Sequence, residues 1–166
     1  MINVVNKSTG VTLRNLVNMI KSKQGLIKKA LGLEDDIVTK EFVEGINEAR
    51  FIELEDFETA AIEIGLDKVT GLGFDFRGKT ISFKFLGNLP EAEIQEQFSK
   101  ALNKGAKKVK YSSYKETETD NEKYTFRTWL IRIGFVGIDY KKAREVLLKN
   151  LTGNGAFRKG KPEAEH

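Results

Sequence analysis

The side chains of this sequence that are able to do chemistry are carboxylates, lysines, arginines and tyrosines, because the chain contains no cysteine and a single histidine. The histidine, His166, is the last residue, and chain ends are rarely ordered enough to hold a catalytic group. Thiol nucleophiles, cysteine-bound zinc and iron–sulfur clusters are therefore excluded, and catalysis by a buried imidazole is nearly excluded. We predict that the protein is not an enzyme and that it uses no cofactor.

Carboxylates are concentrated in the middle of the chain, where residues 32–66 contain eleven acids and two basic residues. Clustered oxygen ligands suit magnesium or calcium. The adjacent Asp35 and Asp36, however, lack the alternating spacing and the glycine of a calcium-binding loop. We therefore predict solvated surface acids at these positions and no metal site.

Basic residues are concentrated on both sides of this acidic segment. Residues 1–31 contain six Lys or Arg and no acid, and residues 104–115 contain five Lys and no acid. Residues 123–161 contain ten basic residues and two acids. Basic ends around an acidic middle suggest either a face that binds a polyanion or ends that fold against the middle.

The segment 104–115 is the best local candidate for contact with nucleic acid, because Tyr111 and Tyr114 are interleaved with its lysines. A solvated linker has the same composition and is favoured, since the four acids in residues 116–122 partly neutralise the charge. A solvated face is likewise favoured for the lysines of the first helix, which are Lys21, Lys23, Lys28 and Lys29. If nucleic acid is bound, the candidate phosphate contacts are Lys107, Lys108, Lys110, Arg127, Lys141, Lys142 and Arg144.

Apolar residues at helical spacing predict helices over residues 12–31, 57–64, 88–105, 121–134 and 139–151. The last two helices form a pair joined by a glycine-rich corner, and their apolar density predicts that the pair lies at the centre of the core. Arg127 and Arg132 are expected to reach solvent at the edges of this pair. Such a pair reads DNA in some proteins and is more often a packed helical hairpin.

Alternating phenylalanines predict a β-hairpin over residues 73–85, with Gly78 in the turn and the aromatic rings in the core. Shorter strands are predicted at residues 2–5, 37–43 and 51–54. The predicted fold class is therefore α+β, with a small antiparallel sheet that contains the Phe-rich hairpin and packs against about four helices.

A single α+β domain over residues 1–153 and a C-terminal tail over residues 154–166 are the expected organisation of a chain of this length. No apolar run has the length of a membrane span, and no signal segment opens the sequence. We therefore expect a cytoplasmic protein without a membrane partner.

Several segments resemble one family of small bacterial proteins. They are Asn121-Glu-Lys-Tyr124, Phe126-Arg127, Gly134-Phe135, Ala143-Arg144, the run from Leu147 to Asn154, and Leu26-Ile-Lys-Lys-Ala-Leu-Gly32. The family is carried on integrative conjugative and other mobile elements of Firmicutes and is labelled "virulence-related protein". The resemblance covers about half of the chain and implies a bacterial cytoplasmic accessory protein encoded on a mobile element. It implies no catalytic residues.

Two functions follow as hypotheses from these observations. The first is a non-enzymatic accessory protein that binds nucleic acid through its basic residues. The alternative is a protein-interaction or assembly module, a homodimer for example, in which the acidic middle docks on basic surfaces. The two hypotheses differ in whether the basic residues converge on one face or an exposed apolar patch forms the contact.

Overall fold

The computed structural model of the chain describes residues 10–49 and 53–155, together with the backbone of the strand at residues 3–5. Its helices are α1 (Gly10–Leu31), α2 (Lys40–Glu48), α3 (Leu54–Ile64), α4 (Ala92–Lys108), α5 (Glu122–Arg132) and α6 (Lys141–Leu148). Its strands are β1 (Asn3–Val5), β2 (Gly73–Asp75) and β3 (Thr80–Ser82). Short 3-10 turns occur at Leu66–Lys68, Lys84–Asn88 and Ile138–Tyr140. The described residues therefore have the predicted α+β class, with helices predominating over a small sheet.

The sheet is antiparallel throughout, and its order is β1-β3-β2. The predicted hairpin is confirmed over residues 73–82, with Phe74 opposite Ile81 in its register, but its second strand ends at Ser82 and a 3-10 turn begins at Lys84. In the turn, the positive φ belongs to Lys79, at 55°, and not to Gly78 as the sequence suggested. The Phe74 and Phe76 rings pack against Phe57 of α3, which places them on the core as predicted.

The centre of the core is α1, which contacts each of the other five helices. The sequence predicted that the pair at residues 121–151 would hold this position, and that prediction is wrong. Leu16, Ile20 and Ile27 of α1 are fully buried, as its apolar stripe predicts. Asn15 and Asn18 are buried as well, so the helix is covered on faces that the sequence marks as polar.

The segment predicted as a strand at residues 37–43 is largely helical, because α2 begins at Lys40. The Thr39 side chain caps this helix by accepting a hydrogen bond from the Phe42 backbone N–H at 3.2 Å. Phe42 and Ile46 are one helical turn apart in α2, and both are buried. Of the strand predicted at residues 51–54, residues 51 and 52 lie outside the described residues, and Leu54 begins α3.

The helices α4 and α5 were predicted to end at Gly105 and Gly134. Gly105 was expected to end α4, but the helix continues to Lys108, and Gly105 is buried against Ile133. The α5 helix ends at the predicted corner, where the Phe135 N–H donates to the Leu130 carbonyl at 2.9 Å. Gly134 supplies the positive φ, 121°, that this kind of helix end requires.

The last helix, α6, begins at Lys141, after a 3-10 turn, and not at the predicted cap Asp139. The Asp139 carbonyl instead accepts a hydrogen bond from Gln97 of α4 at 3.2 Å. Within residues 10–49 and 53–155, none of the helices combines the length and the hydropathy that crossing a lipid bilayer requires.

We expect Gly71→Ala to lower the free energy of unfolding by about 2–3 kcal/mol, because the site has no room for a methyl group. A Cβ atom there would lie 2.7 Å from the Ile37 Cα. Ile37 cannot shift freely, since its N–H donates to the buried Gln24 side chain at 2.9 Å. The matched control is Gly87→Ala, which meets no atom within 4 Å and should change the free energy of unfolding by less than about 0.5 kcal/mol. Urea unfolding measures both, and equal effects would contradict this account of Gly71.

Candidate anion-binding groove

An extended segment, residues 109–120, runs along α1 and is held there by side chains of that helix; we call it the strap. The Asn15 Nδ2 donates to the Val109 carbonyl at 2.9 Å, and its Oδ1 accepts from the Ser112 N–H at 3.2 Å. One turn further along α1, the Asn18 Nδ2 donates to the Ser112 carbonyl at 2.9 Å. These buried amides pair backbone groups of the strap that lack a partner in a helix or sheet.

Further along α1, the strap is fastened by hydroxyl and ammonium groups. The Thr117 N–H donates to the Ser22 carbonyl at 2.9 Å, and the Lys23 Nζ donates to the Thr117 Oγ1 at 2.7 Å. The anchoring Asn18 is itself fixed, because it exchanges two hydrogen bonds with Asn47 of α2 at 2.9 and 2.7 Å. The strap therefore has a defined position relative to α1 although it contains no regular secondary structure.

A groove of about 300 Å³ lies where the strap passes the C-terminal ends of α4 and α5. Three cations from three elements line it: Lys23 from α1, Lys108 from the last turn of α4, and Arg132 from the last turn of α5. We call this the basic groove. Its other lining residues are Met19, Ser22, Gly105, Val109, Ser112, Ser113, Trp129 and Ile133.

The charges of the basic groove are not neutralised by its own lining, since none of the described residues that line it is acidic. Burial lowers the pKa of Lys23, and repulsion from Arg132 lowers that pKa further. Within the part of the chain that the structure describes, Lys23, Lys108 and Arg132 take part in no salt bridge. An anion in the groove would relieve both the repulsion and the loss of hydration.

The remaining lining residues determine what kind of anion fits. Ser22, Ser112 and Ser113 bring hydroxyl groups, which donate hydrogen bonds to phosphate oxygens. Trp129 is only 5% exposed, because its ring packs against Phe98 and Phe126. The indole therefore contributes an apolar patch of wall and offers no free face on which a base could stack.

The basic residues predicted from the sequence do not come together on one face. Among the predicted residues, Lys108 alone lines the basic groove; Lys107 precedes it in the last turn of α4, and Lys110 is the second residue of the strap. Lys142 forms a salt bridge with Glu91 at 3.0 Å, at the other end of α4. Because α4 has 17 residues, that position is roughly 25 Å away along the helix axis.

The other predicted contacts are spread over α5 and α6. The Arg144 Nη1 donates to the carbonyls of Phe135 and Gly137 at 2.8 and 3.1 Å, so its guanidinium fixes the corner between α5 and α6. Arg127 is half-buried on α5 beside Gly155, and Lys141 is exposed at the start of α6. These positions are separate from the basic groove.

Sequence reasoning did not select Lys23 and Arg132 as site residues. Lys23 was grouped with the other lysines of the first helix, but the structure separates them by their partners. The Lys28 Nζ lies 2.8 Å from an Asp36 carboxylate oxygen, and Lys29 pairs with Glu122. The local sequence held no signal that separates these lysines, because residues 1–31 contain no acid.

Residues that carry the family resemblance form a clasp between α1, α5 and the chain after α6. The Glu122 Oε1 accepts hydrogen bonds from the backbone N–H and the Oγ1 of Thr152, at 3.0 and 2.9 Å, while its other oxygen pairs with Lys29. The Asn121 Oδ1 accepts from the Asn154 N–H at 2.9 Å. Asn154 was assigned to a tail, and residues 156–166 of that tail lie outside the described residues.

The contacts of Glu122 in the clasp should make the stability of the protein depend on pH. Hydrogen bonds from Lys29 and Thr152 hold the pKa of Glu122 below its usual value. A carboxylate with a lowered folded pKa contributes stability above its unfolded pKa, about 4.3, and that contribution is lost as the pH falls through the folded pKa. We expect Glu122→Gln to lower the melting temperature at pH 7 and to have a smaller effect at acid pH. Thermal melts from neutral to acid pH test this, with Glu118→Gln as control, and an effect that is independent of pH would contradict it.

A larger depression, of about 430 Å³, lies beside the C-terminal end of α1. Glu34, Asp35 and Asp36 line it, and Asp36 is already paired with Lys28. Among the described residues, no three side chains of the metal-binding types form a group that could hold a metal ion. The basic groove is the better candidate because its charges are unpaired.

No family model, curated protein or solved structure matches this chain.

Proposed function

We propose that the protein is a non-enzymatic, nucleic-acid-binding accessory protein whose basic groove contacts phosphate. The observation that carries this proposal is the position of Lys23, which is half-buried beside Arg132 with no carboxylate in the lining. Lysine and arginine that converge without a counter-ion are the usual means of holding phosphate groups. The resemblance to proteins of mobile elements supports a bacterial cytoplasmic setting, in which nucleic acid is an available partner.

The test is fluorescence anisotropy with labelled single-stranded and double-stranded DNA between low and physiological salt. Three cations predict that log affinity falls with log salt with a slope of roughly −2 on single strands and −3 on duplex. Lys108→Gln should make the slope less steep by about one. Absence of binding at low salt, or an unchanged slope in the variant, would overturn the proposal.

The alternative, an assembly module, is supported by two exposed apolar pairs. Ile62, in the last turn of α3, and Leu66, just after that helix, are 58% and 42% exposed. Val136 and Ile138, at the corner before α6, are 60% and 84% exposed. Contact between the two pairs on neighbouring copies would bury both apolar surfaces in a head-to-tail contact.

Sedimentation measurements over a range of protein concentrations separate the two functions. An assembly role predicts a concentration-dependent mass that Ile138→Asp abolishes. A nucleic-acid role predicts that Ile138→Asp leaves DNA affinity unchanged, because Ile138 lies outside the basic groove.

A further inference from the structure

The excess positive charge of the basic groove does not continue in two directions. Beyond Ile133, the next depression along α4 is lined by Lys100 and Lys104 and by Glu93 and Glu96, so its lysines are balanced by acids. The Lys100 Nζ lies 2.6 Å from a Glu96 carboxylate oxygen. Beyond Lys23 along α1, the Glu116 carboxylate lies 3.1 Å from where a Cβ of Gly25 would be.

A confined cluster of cations suits a compact anion better than a long run of phosphates. A terminal phosphate on a nucleic acid chain carries a charge of roughly −1.5 to −2 at pH 7 and presents three strong acceptor oxygens. A phosphodiester within the chain carries a single negative charge and presents only its two non-bridging oxygens. The three cations and the serine hydroxyls match the terminal group in both charge and hydrogen-bonding capacity.

We propose that the basic groove recognises the terminal phosphate of a nucleic acid chain in preference to the phosphodiesters within it. This inference rests on the proposed function and specifies its ligand. Met19, Val109 and Ile133 form apolar walls against which the terminal sugar packs. Because Trp129 offers no free face, binding is independent of base sequence.

The experiment uses one short oligonucleotide, labelled on an internal base, in three forms: with a 5′-phosphate, with a 3′-phosphate, and with hydroxyls at both ends. We expect one or both phosphorylated forms to bind about tenfold more tightly than the hydroxyl form, because the second charge adds charge-assisted hydrogen bonds. Comparison of the two phosphorylated forms identifies the end that is recognised. The preference should decline below about pH 6, where the terminal phosphate loses its second charge.

Substitutions in the basic groove test whether the preference for a phosphorylated end arises there. Lys23→Gln and Arg132→Gln should each reduce the difference between phosphorylated and hydroxyl forms to about twofold or less, since each removes a contact to the dianion. Lys40→Gln, on the exposed surface of α2, should retain the full difference. Circular dichroism confirms folding, and Lys108→Gln replaces either variant that does not fold.

The outcomes are distinct. Equal binding of the three forms would overturn this inference while leaving nucleic-acid binding in place. A preference that survives in all groove variants would also overturn it. Absence of binding by every form would overturn both the inference and the proposed function.

Discussion

The double charge reversal Lys23→Glu with Arg132→Glu is expected to weaken DNA binding by about a hundredfold or more at low salt. Each cation that faces a phosphate contributes a charge-assisted hydrogen bond worth roughly 1.5–3 kcal/mol, and a carboxylate in its place adds repulsion. Fluorescence anisotropy with a single-stranded oligonucleotide measures the effect. The two residues belong to different helices and line one groove, so their combined loss removes two of its three cations.

The matched control is Lys40→Glu with Lys149→Glu, which changes the net charge by the same amount at two exposed positions outside the groove. Both double variants are also compared at physiological salt, where screening limits the effect of such distant charges to about threefold. If the control variant loses affinity to the same extent as the groove variant, binding depends on net charge and the groove has no special part in it.

The charge of Lys23, which favours anion binding, should lower the free energy of unfolding of the protein. Because the folded pKa of Lys23 is lowered, its charge destabilises the folded protein below that pKa, and the penalty disappears as the pH rises towards the unfolded value, about 10.4. Lys23→Met removes the penalty and the bond to Thr117 together. The wild type should therefore gain stability relative to Lys23→Met as the pH rises into this range, which urea unfolding at several pH values measures. A difference that stays constant with pH would contradict the role of the buried charge.

Asn18→Ala is expected to lower the free energy of unfolding by about 2–4 kcal/mol. The Asn18 side chain is fully buried and makes three hydrogen bonds, two with Asn47 and one with the Ser112 carbonyl. Its removal leaves polar groups of α2 and of the strap without partners in a buried region. Because Ser112 lines the basic groove, the same variant should also weaken DNA binding.

Asn88→Ala is the control for Asn18→Ala, since Asn88 is exposed and its one bond, to the Leu31 carbonyl, is 3.4 Å long. We expect this control to lose less than about 0.5 kcal/mol. A double-mutant cycle of Asn18→Ala with Asn47→Ala should give a coupling free energy of at least about 1 kcal/mol. Strictly additive effects would contradict a shared amide network.

The sequence predicts those parts of the fold that depend on local patterns. The apolar spacing of α1 and the Phe-rich hairpin are found where expected. The segment at residues 37–43 was assigned to a strand because short apolar runs fit strand and helix alike. The cap at Thr39 was the local signal that distinguishes them.

The position of α1 at the centre of the core depends on partners that are distant in the sequence. Asn15 and Asn18 indicate a solvated face when α1 is considered alone, because amides are usually exposed. They are buried because the strap, about 95 residues further along the chain, brings backbone groups that need hydrogen bonds. A pattern confined to one helix contains no information about such a partner.

The candidate site shows the same division between local and distant information. Lys108 was predicted because it lies in a visibly basic segment, whereas Lys23 and Arg132 gain their role from their convergence with it. Conversely, Lys142 and Arg144 appear in basic segments but are engaged by Glu91 and by backbone carbonyls. Charge along a sequence therefore identifies candidates, and the three-dimensional partners decide which charges remain available.

The way in which the strap is held has a consequence for hydrogen exchange. Its fastening to α1 depends on a few side-chain hydrogen bonds, so it can open locally while the helices stay folded. The Ser112 and Thr117 amides, bonded to Asn15 and to the Ser22 carbonyl, would exchange through this opening. A ligand that bridges Lys23 and the serines of the strap would hold it closed, and slower exchange at these two amides would then report occupancy of the groove directly.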